Sequence, residues 1–213
     1  MSPQFYIFGI QRSGTNYFCT LLDQNFGASL LNPGQGAWKH SIEVPKRWDS
    51  NQQTFLIYKN PYTWVESIIC RMKVDWFKTQ LTYPGDEQHE DNDLMYEGMN
   101  IENIAKTWKH FHDTWLGQGL YHFRYEMLLI EESRDEILDT IQRQTGWEST
   151  SSSLDGSWSN VDAGSVNLSS KFKVEDKEYY KKCEPKVLTD KQISCVTQTI
   201  GVDMIESLGY KAL

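Results

Sequence analysis

A short apolar run, Phe5-Tyr6-Ile7-Phe8, ends at Gly9, and a second glycine follows at Gly14. Four apolar residues closed by glycine suit a buried strand of a parallel sheet. Beyond Gly14, the residues Tyr17, Phe18, Leu21 and Leu22 recur at helical spacing and give one apolar face. Strand, glycine-containing loop and helix therefore follow in immediate succession. Such a loop turns backbone N–H groups and a helix N-terminus toward one point, where an anion is held.

The alternation continues downstream. Thr54-Phe55-Leu56-Ile57-Tyr58 reads as a second core strand, ended by Lys59-Asn60-Pro61. Proline suits the first turn of the next helix, whose core face is Trp64, Ile68, Ile69 and Met72. A third strand, Leu120 to Tyr125, follows a helix from about Ile101 to Trp115. Strands alternating with helices predict an α/β fold with a parallel sheet. The tail from Lys186 to Leu213 reads as one closing helix with apolar Ile193, Val196, Ile200, Met204 and Leu208, capped by Gly209. Residues 81–99 read as an acidic loop, and residues 145–175, rich in Ser, Gly and Asn, as a long loop or lid.

Composition sets the outer bounds. At 213 residues the chain is expected to be a single domain, and 39% hydrophobic residues with eight tryptophans supply a core, which excludes disorder. A net charge of -8 argues against a general nucleic-acid or anionic-membrane binder, although it leaves room for a local anion site. No apolar run approaches the length of a spanning helix, and the N-terminus lacks the pattern of a signal peptide. The cysteines Cys19, Cys70, Cys183 and Cys195 are widely spaced, which predicts reduced thiols in a cytoplasm. No metal-ligand spacing is present, so no metal is expected.

The glycines of Gly9-Ile10-Gln11-Arg12-Ser13-Gly14-Thr15-Asn16 have the spacing of the GxxxxGKS/T phosphate-binding loop. Thr15 stands where that pattern has the lysine that reaches the phosphates, and Asn16 where it has the hydroxyl that binds Mg²⁺. An ordinary nucleotide hydrolase or kinase loses two working side chains by these changes. A cation stands earlier in the loop instead, at Arg12.

Arg12-Ser13-Gly14-Thr15 resembles the phosphosulfate-binding loop of the sulfotransferases that use 3'-phosphoadenylyl sulfate. Lys59-Asn60-Pro61, with Ser67 eight positions after Lys59, is similar to the 3'-phosphate motif of that family, with lysine where arginine is usual. Ala37-Trp38-Lys39-His40, followed by Pro45, resembles the segment carrying a lysine and the catalytic histidine. Phe123-Arg124-Tyr125-Glu126-Met127-Leu128 and the Leu208-Gly209-Tyr210 ending are softer matches. The whole is similar to a compact bacterial or phage-type member. The resemblance implies a three-layer α/β/α fold of the P-loop type and in-line transfer of a sulfuryl group, without metal, to a hydroxyl or amine of a glycan or small molecule. The nucleotide 3',5'-bisphosphate is the product. It assigns His40 as general base, with Glu43 the alternative, and Arg12 and Lys39 as catalytic cations. Arg12, Ser13, Gly14, Thr15, Asn16, Lys59 and Ser67 hold the cofactor, and Lys171 and Lys173 lie in a lid segment over it. Competing readings are a nucleotide kinase or hydrolase with a degenerate loop, and a noncatalytic nucleotide-binding module.

Overall fold

The computed structural model describes residues 2–31, 39–46, 48–71, 95–96, 99–150 and 182–213. In chain order the elements are β1 (Gln4–Phe8), α1 (Thr15–Phe26), β2 (Ser29–Leu30), β3 (Gln53–Tyr58), α2 (Pro61–Arg71), β4 (Met95–Tyr96) and β5 (Met99–Asn100). They continue with α3 (Ile101–Trp115), β6 (Tyr121–Arg124), α4 (Glu131–Thr145), α5 (Asp190–Ile200) and α6 (Val202–Ser207). The chain divides into two compact units, Met1–Lys59 with Gln118–Lys182, and Asn60–Gly117 with Cys183–Leu213.

The first unit is an α/β structure built on a four-stranded parallel sheet in the order β2-β1-β3-β6. Alternation along the strands sends Phe5, Ile7, Phe55 and Ile57 to one face. There they meet Phe18, Leu21, Leu22 and Phe26 of α1 and Leu138 and Ile141 of α4. Phe18 sets its edge on Phe55, ring centres 5.5 Å apart. Phe8 and Leu56 point to the other face and are also fully buried, Trp48 standing edge-on to Phe8. Burial on both faces explains why these strands read as unbroken apolar runs.

The expected strands and the helix from Ile101 to Trp115 stand within a residue or two of their predicted places. Two elements escape the sequence patterns. β2 has only two residues, and α4 carries only three apolar side chains among fifteen. At the far end of α4, Gly146 takes a left-handed φ of 69° and closes the helix on Gln142 O. The start of the predicted long loop is tethered to the end of α1, where Thr150 N–H donates to Asn25 O at 2.8 Å. Residues 151–181 of that loop lie outside the described residues.

In the second unit, α3 packs against α5 and α2. The Asn100 side chain starts α3 by accepting from Glu102 N–H at 2.8 Å and Asn103 N–H at 3.2 Å. The predicted loop over 81–99 requires correction, because Met95–Tyr96 pairs antiparallel with Met99–Asn100. Strands of two residues leave no alternation to read. The predicted closing helix is two helices. Gly201, at φ 94° and ψ 136°, breaks the path between α5 and α6. Apolar spacing continues across that break, so periodicity alone does not reveal it. Glu66, 4% exposed on α2, ties this region together. Its Oε1 accepts the backbone N–H groups of both Lys186 (2.7 Å) and Val187. Replacing Glu66 by alanine removes the acceptor of two part-buried backbone donors and is expected to cost about 1–2 kcal/mol in a denaturant titration.

Candidate functional site

From β1 the chain passes to β2 on one side and then to β3 on the other. The reversal puts a topological switch point at the carboxyl ends of β1 and β3, and open parallel sheets bind ligands in the crevice beside such a point. The Gly9–Gly14 loop leaves β1 at that point, and Lys59 follows the last residue of β3.

The loop is held by backbone geometry. A Cβ on Gly9 would stand 2.6 Å from Ser13 Oγ and Thr15 Cγ2 and 2.8 Å from Ile57 O. Arg12 adopts φ 69° and Gly14 φ 91°, and the turn between them is closed by Ser13 N–H donating to Ile10 O at 3.1 Å. The N–H of Ser13 is thereby spent inside the loop and not offered to an anion. Gly14 is the N-cap of α1, and no side chain caps that terminus. The hydroxyl of Ser13 is fully buried and has no hydrogen-bond partner among the described residues. A buried unspent hydroxyl beside a helix start without side-chain capping fits an anionic group.

Lys39 and His40 are brought to this loop. Gly9 N–H donates to Lys39 O at 3.0 Å, and His40 Nδ1 lies 2.6 Å from Gly9 O. A carbonyl only accepts, so Nδ1 carries the proton and Nε2 of the neutral ring keeps its lone pair. Burial lowers the His40 pKa to about 4; the charge of Lys39 acts in the same direction, and the Gly9 carbonyl opposes it. The ring is therefore neutral at pH 7. Lys39 is 8% exposed and its ammonium donates to Asn16 Oδ1. Burial lowers its pKa, an effect offset in part by Cys19. Burial raises the Cys19 thiol to about 12, with Lys39 pulling the other way.

Lys59 is 1% exposed, with its Nζ 5.7 Å from the centre of the Tyr125 ring. The same ring covers Gly14, where a Cβ would fall 2.1 Å from Tyr125 Cδ2. Tyr125 thus joins the loop after β1 to the cation after β3, a role sequence reasoning missed. Its only sequence signal is an aromatic residue directly after β6. Arg124, the last residue of β6, pairs in register with Tyr58 and places a further cation at this end of the sheet.

The remaining predicted residues belong to the second unit, are exposed, or lie outside the described residues. Asn60 caps α2 by accepting from Tyr62 and Thr63 N–H at 3.0 and 3.1 Å, which explains the Asn-Pro pair structurally. Ser67 belongs to the second unit, where its hydroxyl donates to Trp64 O at 2.8 Å within α2. Glu43 is exposed. Lys171 and Lys173 lie outside the described residues. Among the described residues there is no group of three metal-type ligands, and no helix is long and apolar enough to cross a membrane. No disulfide joins the four cysteines.

Comparison of the chain with protein-family models, curated proteins and solved structures returned no match.

Two measurements check this geometry. Gly14→Ala forces a side chain into Tyr125 at a left-handed φ, and denaturation should show a loss of at least about 2 kcal/mol. For His40, the unfolded chain takes up the proton first as pH falls from 6.5, and the folded protein only near 4. Stability should therefore rise with pH between these values and level off above. His40→Gln should flatten that rise.

Proposed function

We propose that the protein is a sulfotransferase of the P-loop-like, three-layer type, moving a sulfuryl group from 3'-phosphoadenylyl sulfate to a hydroxyl or amine of a glycan or small molecule. One observation carries the reading. His40 is held by Gly9, beside a phosphate-type loop that lacks the nucleotide-hydrolase lysine, in the tautomer whose basic nitrogen is Nε2. In such a transfer an acceptor hydroxyl must give up a proton, and the fixed imidazole is in the neutral form that accepts one, a weaker base at a pKa of about 4 than a histidine titrating near 7. The donor nucleotide supplies the activated sulfuryl group.

The chain's own groups divide the remaining work. Arg12 and the start of α1 offer positive potential to the leaving and equatorial oxygens, where charge grows. Lys39 adds a fixed ammonium beside them. Ser13 Oγ, buried and unspent, serves the same group of oxygens. Lys59, at the end of β3, answers the 3'-phosphate, and Tyr125 fixes its distance from the loop. Lysine in this position keeps the charge without the two-pronged grip of arginine.

Adenosine 3',5'-bisphosphate is expected to raise the melting temperature of the purified protein without added metal, while ADP does little. Stabilisation by ADP only in the presence of Mg²⁺ would overturn the reading in favour of a nucleotide hydrolase or kinase. With an acceptor identified by radiolabelled transfer to a cell extract, His40→Ala should lower kcat by about 10²–10⁴-fold. A near-wild-type kcat for that variant would remove His40 as the base.

A further inference from the structure

Position 16 is where the GxxxxGKS/T pattern keeps a hydroxyl for a divalent metal, and this chain has asparagine there. A side-chain amide presents one oxygen acceptor, and that oxygen takes the ammonium of Lys39. Lys39 is fixed at its other end as well, since its carbonyl accepts Gly9 N–H at 3.0 Å. With backbone and ammonium both anchored, this 8% exposed cation is held at the first turn of α1. An ammonium has three donors, so two remain after Asn16 has taken one.

Resting on the sulfuryl-transfer reading, we propose that Asn16 is a positioning residue that holds the Lys39 ammonium as the site's resident cation, in the place where nucleotide hydrolases use a metal ion. The replacement of the metal-binding hydroxyl and the loss of the loop lysine are then one change seen from two sides. The cation has moved from the loop, and from solution, onto the segment that also carries His40. Cys19 acts on Lys39, and Lys39 in turn acts on His40. At neutral pH Cys19 is a thiol and His40 an uncharged imidazole, so neither cancels the charge of Lys39.

The test follows Lys39 directly, by NMR of the full-length protein carrying ¹³C-labelled lysine. The Asn16 oxygen accepts from the charged form and favours it. Asn16→Ala should therefore move the Lys39 titration to lower pH and shift the alkaline limit of adenosine 3',5'-bisphosphate binding with it. Calorimetry should show Asn16→Ala weakening that nucleotide about tenfold in the wild-type background. The same substitution in a Lys39→Ala background should have less than about a twofold effect. Wild-type affinity should not respond to Mg²⁺, whereas Asn16→Ser combined with Lys39→Ala restores the hydroxyl, vacates the ammonium, and should acquire a Mg²⁺ dependence. An unmoved Lys39 titration in Asn16→Ala, or an equal loss in both backgrounds, overturns the proposal. If the wild type does not bind the bisphosphate while the Lys39 titration moves as stated, the sulfotransferase reading fails and the Asn16–Lys39 pairing stands. The mutant cycle is then read with inorganic pyrophosphate in metal-free buffer, where an equal loss in both backgrounds again overturns it.

Discussion

Gly9 is the point on which the arrangement depends. It ends β1 in a space that admits no Cβ, with Ser13, Thr15 and the Ile57 carbonyl all closer than a side chain allows. The same residue commits its N–H to the carbonyl of Lys39 and its carbonyl to the imidazole of His40. One residue therefore sets three things: the tight departure of the loop, the entry to α1, and the location of the segment bearing Lys39 and His40. Any larger residue there would push the loop away from β3 and loosen its hold on both side chains.

An acidic chain buries two lysines in this region, Lys39 and Lys59. The ammonium of Lys39 rests on an amide oxygen, and that of Lys59 faces an aromatic ring. Both contacts hold a cation without neutralising it. Much of the acid lies elsewhere, as on the exposed face of α4, where Glu131, Glu132, Asp135 and Glu136 meet solvent. Net charge and local potential thus diverge within one small protein.

How much of this was legible in the sequence depends on how each feature is encoded. The strands β1, β3 and β6 and the helix α3 announce themselves through apolar runs and helical spacing, because burial selects residue type directly. The loop between Gly9 and Gly14 is legible for a similar reason, since crowding and left-handed φ values demand glycine. The break at Gly201 is hidden, because α5 and α6 carry one apolar rhythm through it. The spending of Ser13 N–H inside the loop is hidden too, as backbone pairing leaves no mark on side-chain identity. So is the double contact of Tyr125, which joins residues far apart in sequence through the sheet order. His40 was legible as a candidate base through the Lys39-His40 segment that precedes Pro45. Its tautomer and its neutrality follow from a carbonyl and a degree of burial that no motif encodes.

Cys19 carries a consequence for the chemistry available beside the loop. The nucleophile and the target of oxidants is the thiolate. With its pKa raised to about 12, Cys19 holds that form in only about one molecule in 10⁵ at pH 7. Although a lysine sits next to it, Cys19 is in effect an apolar filler. Alkylating reagents and peroxide should pass it by, and the reactivity of this end of the sheet is left to nitrogen and oxygen.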